Sequence, residues 1–575
     1  MNRKSQQQNQ QKVRRPLASL TIAIGLGLLA SIVVIAGIDY HGLTYDEPIY
    51  VSIGARSAQW VAQLFGLLFD DTLKQHLSAP VIDRAWFASK DMQPPLLQVL
   101  SGISNLLLGK HVGGLLAPRL PTALFFGLAI AVVFWLTERA FDRPAGVFAA
   151  LGLLFLPAFF GHAHLSTLDV PVSALILLTA ATFYAASEER SWSLALLSGL
   201  FLGLALLTKL NAAFLIGFLL LWTLLFHRPM LPRALVSFFI VPPLVFVAGW
   251  PWLWHSTLPH LKDYLGFHLQ HYPVLVYYLG RLYQYAPWHY PFVVTAVTVP
   301  AIFLLLMLAG IGYVVSGRSA YSGKKVKSSF RAAGWLLLLC GVGYLLPSAL
   351  PFTPKYNGSR LFLPAFPFLM ALAGGGFTLI YELLFRRLER VRSLKEIGGL
   401  RGKLALLVGL ILLLPAVRGL SRGYPHELAY YNAFIGGPAG ARAHGFETIY
   451  WGGVYNDALP ALNAAAKNAP RVFVTPQGVV SLLVTYQRGG ALPNTLQWLS
   501  PPPPEQQKAG WPRPALEGVD LVVFQCAQSE FDELAWKLYR EGRPAAGSVY
   551  LEGVPLLLIF SGDEARRLFA VKEAR

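Results

Sequence analysis

Apolar residues in this chain come in long, nearly unbroken runs, not in the spacings of amphipathic soluble helices or alternating strands. A hydrocarbon core of ~30 Å takes roughly 20 residues of helix. Eleven runs approach that length: residues 17–38, 119–137, 145–160, 168–186, 192–207, 210–227, 234–252, 291–315, 334–350, 361–384 and 403–420. The pattern predicts an α-helical polytopic membrane protein with about eleven transmembrane helices. Three polar stretches, 39–118, 253–290 and 421–575, are too long to be connectors. In the last, Arg471-Val-Phe-Val-Thr, Asp520-Leu-Val-Val-Phe and Val554-Pro-Leu-Leu-Leu-Ile-Phe predict strands, and 457–468 and 528–541 predict helices. Pro501–Pro504, Pro512 and Pro514 mark an internal loop. This tail reads as a small α/β domain.

Composition agrees. Hydrophobic residues make up 54% and charged residues only 14% of 575, against about 25% charged in soluble proteins. A wholly soluble enzyme and a disordered chain are both excluded. Two cysteines exclude a disulfide scaffold and a cysteine-built zinc site. Cys340 falls in a span and Cys526 in the tail, so they are not expected to pair.

The net charge of +18 raises the question of nucleic acid, and the position of the charges answers it. With the N-terminus inside, the cytoplasmic loops are 138–144, 187–191, 228–233, 316–333 and 385–402. One holds Arg318, Lys324, Lys325, Lys327 and Arg331; another holds Arg386, Arg387, Arg390, Arg392, Lys395 and Arg401. The short opposite loops carry few cations, chiefly Lys209, Lys355 and Arg360. This is a positive-inside signature, and no nucleic-acid partner is expected. Residues 1–16 form a basic cytoplasmic head on an uncleaved first anchor, 17–420 the membrane domain, and 421–575 an extracytoplasmic domain.

Chemistry concentrates at the outer ends of the spans. Thr44-Tyr45-Asp46-Glu47-Pro48 places two carboxylates just beyond the first span, fit for acid–base work or for a helix start. Asp91-Met92-Gln93-Pro94-Pro95-Leu96 opens a helix and reads first as punctuation. Gly161-His162-Ala163-His164, followed by Leu168-Asp169-Val170-Pro171, offers two histidines and a carboxylate for a metal or a hydroxylated ligand; Asp169 alternatively caps the next helix. Lys209 and Arg360 stand at helix starts, where a cation opposes the dipole unless an anion binds; the alternative is snorkelling to lipid headgroups. The aromatic loop around Trp250, Trp252, Trp254, Tyr277, Tyr278 and Trp288 fits an interfacial belt or a sugar-stacking surface.

Together these landmarks resemble the GT-C superfamily of polyprenyl-phosphate-dependent glycosyltransferases. The nearest branch is glycosyltransferase family 39, which includes protein O-mannosyltransferases and lipid A aminoarabinose transferases. The matching segments are Tyr45-Asp46-Glu47, Gln93-Pro94-Pro95-Leu96, Ala117-Pro118-Arg119-Leu120-Pro121, Leu168-Asp169-Val170-Pro171, Leu206-Leu207-Thr208-Lys209 and Lys355-Tyr356-Asn357-Gly358-Ser359-Arg360-Leu361-Phe362. Tyr430-Tyr431-Asn432, Gly436-Gly437 and Tyr450-Trp451-Gly452 extend the likeness over about 1–455.

The resemblance implies a GT-C-like bundle whose outer cavity is roofed by amphipathic helices of the first loop. It implies transfer of a sugar from a polyprenyl-phosphate donor to an acceptor hydroxyl, with inversion, at the outer face of a bacterial cytoplasmic membrane. Asp46 would be the general base, with Glu47 and Asp169 beside it. Arg119, Lys209, Lys355 and Arg360 would hold the donor phosphate, and Tyr45, Gln93, His162, His164 and Tyr356 would line the substrate. A divalent metal ion is left open, as is the acceptor: glycan, lipid or protein. The aminoarabinose branch carries Glu-Lys before its double proline; Met92 and Gln93 stand there in this chain, which argues against that sugar. Two other classes compete, a transporter or flippase for lipid-linked sugars and a scaffold with an outer binding domain. Charges gathered at one face, without a clear internal repeat, favour the transferase.

Overall fold

In the computed structural model, which describes residues 3–67, 69–87, 92–270, 274–318, 328–390, 399–466, 471–476, 478–500 and 516–570, the apolar runs become helices. Seven are long and apolar enough to cross a membrane: Leu17–Tyr40, Leu116–Ala140, Asp169–Glu189, Arg228–Gly249, Phe330–Ala349, Ala365–Leu388 and Leu400–Gly423. An eighth is the pair Arg143–Leu154 and Pro157–Ala163, bent by 64°. Its break falls just before Pro157, where the proline ring disfavours helical geometry for the preceding residue. The other expected spans are shorter apolar helices, Trp192–Leu206, Leu210–Phe226 and Ala301–Ser316. The last is separated at Pro300 from Tyr290–Thr298, so one expected span is two pieces. The chain is a multi-pass membrane protein with seven or eight full-length spans among the described residues, not a uniform set of eleven.

Lys324, Lys325, Lys327, Arg392 and Lys395 of the basic loops, and the prolines at 501–504, 512 and 514, lie outside the described residues.

Small residues let the bundle close. A Cβ on Gly310 would stand 1.8 Å from the Leu372 carbonyl, and one on Gly376 2.0 Å from that of Leu306, so Ala301–Ser316 and Ala365–Leu388 touch backbone to backbone. Asp169–Glu189 is the central helix, with 89% of its apolar window buried, whereas Leu400–Gly423 is mostly lipid-facing at 28%.

The first long loop folds into helices Glu47–Gly66, Leu73–His76, Ala79–Trp86 and Leu96–Leu108. Two of them cross at Gly54 and Gly102, where an added Cβ would meet the other helix's carbonyl at about 2 Å. That close crossing fixes the helix that begins beside Asp46. The aromatic loop contributes helix Thr257–Leu269 and a hairpin of β1 (Val276–Tyr278) and β2 (Arg281–Tyr283).

The tail is an α/β domain with its own core. Its strands are β3 (Arg471–Thr475), β4 (Gln497–Leu499), β5 (Leu521–Gln525), β6 (Val549–Leu551) and β7 (Val554–Ser561). They form one sheet in the order β4-β3-β5-β7-β6. β3 runs parallel to β4 and β5, and β7 is antiparallel to β5 and β6. Leu482, Leu483, Leu534 and Leu538 pack from flanking helices onto buried Val472, Val523 and Phe560. Cys340 and Cys526 are free and buried.

Candidate active site

The four groups that combine at one end of the bundle each start or precede a helix. Asp46 immediately precedes Glu47–Gly66, yet its side chain makes no capping bond. Asp169 is the first residue of its helix, Lys209 precedes the short 3-10 turn Leu210–Ala213, and Arg360 begins another, Arg360–Phe362. Carboxylates at helix starts usually cap them; here they are spent on cations from other segments.

Arg360 bridges both acids. Its Nη2 donates to Asp46 Oδ2 at 2.5 Å and its Nε to Asp169 Oδ2 at 3.1 Å. Lys209 Nζ donates to the other oxygen of Asp169 at 2.6 Å. Trp451 closes the group: its indole N–H donates to Asp46 Oδ2 at 3.1 Å, and the Arg360 guanidinium lies 4.0 Å over its ring. Two carboxylates and two cations balance. Burial disfavours the charge of Arg360, and the facing Asp46 and Asp169 outweigh it, so its pKa rises. The two acids differ in access, because the Asp169 side chain is 1% exposed and that of Asp46 26%. Asp169 is a buried anchor for two cations; Asp46 is the carboxylate a ligand can reach.

Glu47, one residue on, faces the other way. It accepts Arg119 Nε at 2.7 Å and Nη2 at 2.8 Å, the Ser166 amide at 2.7 Å and the Thr44 amide at 2.9 Å. Arg119 is wholly buried and also donates to the carbonyls of Ile38, His41 and Gly42. Its five N–H groups are therefore all used, and none remains for the donor phosphate expected there. Lys355 is likewise committed, giving its ammonium to Leu350 O, Thr353 O and Thr353 Oγ1 within its own loop. Burial pushes its pKa down.

His162 and His164 are buried behind the quartet. Each Nδ1 bonds a carbonyl one turn back, Ala158 and Phe160, and each Nε2 has no partner among the described residues. His164 stacks on His41, which bonds Glu427 at 2.9 Å. Among the described residues no group of three His, Cys, Asp or Glu side chains is placed to hold a metal ion. The two acids of the quartet, Asp46 and Asp169, are already neutralised by Arg360 and Lys209, a donor set that does not fit a divalent cation. Gln93 lines a separate small cavity. Tyr356 packs at the edge of the membrane core, near Arg360.

The C-terminal α/β domain and the segment leading into it grip this site. Tyr45 donates its N–H to Trp451 O and its hydroxyl to Glu530. Gln525, at the end of β5, accepts the Gly452 amide at 3.0 Å and donates to Glu530 at 2.6 Å. Burial raises Glu530 to about 7 and its neighbour Glu447 to about 8. Trp451 is held at φ 77°, a strained conformation for a bulky residue that is common at functional sites. Trp451, Glu530 and Gln525 received no site role from the sequence; the only signal was the aromatic-glycine segment Tyr450-Trp451-Gly452.

Fold and site together describe a multi-pass membrane protein with a charged centre beside a small α/β domain. Residues 92–255 match the family model for dolichyl-phosphate-mannose-protein mannosyltransferase. The apo structure of ArnT from Cupriavidus metallidurans is 15% identical, with a TM-score of 0.50 over 96% of this chain and 99% of that one. The archaeal oligosaccharyltransferase AglB from Archaeoglobus fulgidus, in complex with an inhibitory peptide and a dolichol-phosphate, is 15% identical, with a TM-score of 0.51 over 92% of this chain and 71% of that one. At these identities the likeness is one of fold. No curated protein sequence matches the chain.

Proposed function

We propose that this protein is a membrane glycosyltransferase that moves a sugar from a polyprenyl-phosphate donor to an acceptor hydroxyl on the non-cytoplasmic face. The observation that carries the reading is the Asp46–Arg360–Asp169–Lys209 quartet, in which one reachable carboxylate is tied to Arg360 and a buried one anchors both Arg360 and Lys209. Support for a lipid-phosphate donor comes from the family model and from the dolichol-phosphate named with AglB. The orientation rests on the basic inner loops, with the N-terminus cytoplasmic in a bacterial inner membrane.

The chemistry divides the residues. The acceptor oxygen attacks the anomeric carbon as the bond from that carbon to the phosphate oxygen breaks. Asp46 takes the acceptor proton, and the polyprenyl phosphate leaves with the bonding electrons. Arg360 and Lys209 face the developing phosphate charge, a contribution of several kcal/mol in a water-poor site. A single displacement inverts the anomeric centre. Asp169 positions both cations. Glu47 and Arg119 hold the turn that carries Asp46, and His162, His164, Tyr45 and Tyr356 shape its surroundings.

The test is a radiolabelled transfer assay with purified protein and a polyprenyl-phosphate sugar. Label reaching an acceptor supports the reading. Translocation of the labelled donor across vesicles without transfer replaces it with a flippase, and neither outcome leaves a scaffold.

A further inference from the structure

A groove of about 760 Å³, open on one flank, runs beside the C-terminal end of the last span, Leu400–Gly423, the helix that faces lipid over most of its length. Arg418 and Arg422 stand on it one helical turn apart. Its floor is left bare by glycines: a Cβ on Gly423 would meet nothing within 4 Å. The C-terminal domain supplies Leu551 and Glu552 from the turn between β6 and β7, and the connecting segment supplies Tyr430 and Tyr431.

The two cations are loosely held by the protein. Arg422 reaches Glu552 at 3.7 Å, beyond hydrogen-bond range, and both side chains are about half exposed. Among the described residues Arg418 has no ion-pair partner. The same helix face continues into the membrane as exposed Leu407, Ile411 and Leu414, whose steps of four, three and four residues lead to Arg418. An apolar ridge ending in two guanidiniums has the profile of a phospholipid, with acyl chains along the ridge and phosphate at its end. Arginines that merely snorkel to bulk headgroups need no enclosure. Here the C-terminal domain closes the far side, so a headgroup fits between two parts of the chain.

We infer that this groove binds the headgroup of an anionic phospholipid from the surrounding leaflet, which ties the last span to the C-terminal domain. The planar fork of arginine pairs a phosphate through two N–H groups. Arg418 and Arg422 against Glu552 leave one positive charge, which one phosphodiester balances; a zwitterionic headgroup would add an ammonium beside two guanidiniums. The apolar ridge favours a lipid over free phosphate, which has nothing to lay along it. The groove is separate from the quartet: Tyr430 and Tyr431 stand between it and a second cavity that reaches Ser359, the neighbour of Arg360. The inference holds whether or not the protein transfers a sugar.

The experiment titrates the full-length protein, in phosphatidylcholine nanodiscs, with phosphatidylglycerol carrying a fluorescent acyl chain, and reads the half-life of thermal unfolding with and without that lipid. The wild type should bind it saturably and unfold more slowly in its presence. Replacing both cations (Arg418→Gln, Arg422→Gln) should raise Kd about 25-fold, about fivefold for each charge lost. Gly423→Leu fills the groove without changing its charge and should also abolish saturable binding. Glu552→Gln removes the competing acid and should lower Kd about fivefold. In phosphatidylcholine alone the arginine double variant should unfold at the wild-type rate, which reports that it is folded. A wild-type Kd in that variant, or binding indifferent to Gly423→Leu, overturns the site. Labelled phosphatidylcholine bound as tightly, or displacement of the label by an equal amount of polyprenyl phosphate, overturns the anionic phospholipid as its occupant.

Discussion

Replacing Glu47 by Gln separates a framework role from a catalytic one. In the structure Glu47 is 1% exposed and Arg119 is fully buried, and the two share a doubly bonded contact at 2.7 and 2.8 Å. Removing one partner of a buried pair leaves the other charge uncompensated, typically at a cost of 3–5 kcal/mol. The amide also turns its NH2 toward either the Ser166 or the Thr44 N–H, one of the two donors that the carboxylate oxygens now accept. A membrane protein of this size unfolds irreversibly, so the measurement is the half-life of thermal inactivation in detergent. A loss of about 3 kcal/mol, felt mainly in unfolding, shortens that half-life on the order of a hundredfold. The double variant Glu47→Gln, Arg119→Met removes both charges and should recover part of the loss, giving a coupling of 1 kcal/mol or more. At a temperature where Glu47→Gln stays folded, transfer should persist at a reduced rate. Wild-type stability combined with abolished transfer would refute the framework role and return Glu47 to the chemistry.

Further outcomes follow from the same contacts. Arg360→Lys keeps the charge but loses the planar fork that reaches Asp46 and Asp169 at once; kcat should fall about a hundredfold, and a change under threefold would count against the bridge. Asp169→Asn frees Lys209 and Arg360 from their shared anchor, so KM for the donor should rise as kcat falls; an unchanged KM would contradict a positioning role. Glu530 is held protonated by burial, at about 7 against an ordinary 4.5. The folded state therefore binds the proton more tightly: stability is fully present below about pH 4.5 and is lost as pH rises to about 7, by at most about 3.5 kcal/mol at about 1.4 kcal/mol per pH unit. Glu530→Gln should flatten that decline in thermal unfolding at pH 5 and pH 8. A variant that tracks the wild-type slope would show that Glu530 does not carry it.

The spans were legible because a run such as Leu400–Gly423 has no soluble alternative, but the breaks at Pro157 and Pro300 were missed, since the expected spans 145–160 and 291–315 ran straight through both prolines. Asp46, Asp169, Lys209 and Arg360 were legible as odd charges at span ends. Their sharing of one network was not, since Arg360 meets Asp46 from 314 residues away. Sequence also cannot distinguish a phosphate ligand from a buried counter-ion. Arg119 and Glu47 looked like site residues because both sit in polar motifs flanking a span, and only the packing of the Ile38, His41 and Gly42 carbonyls around Arg119 reveals the difference. Trp451 was hidden because it meets Asp46 from 405 residues away, and its strained φ has no signature in its neighbours. The hairpin β1–β2 and strands β4 and β6 are each three residues long, too short for an alternating pattern to stand out.

The most direct test of the account is the Asp46→Asn variant in the radiolabelled transfer assay, read beside carrier binding. Asn keeps the size of the side chain and an oxygen for the Trp451 N–H, but cannot take the acceptor proton. The account predicts bound polyprenyl phosphate, native stability and no label in the acceptor. Transfer by Asp46→Asn at the wild-type rate would contradict it.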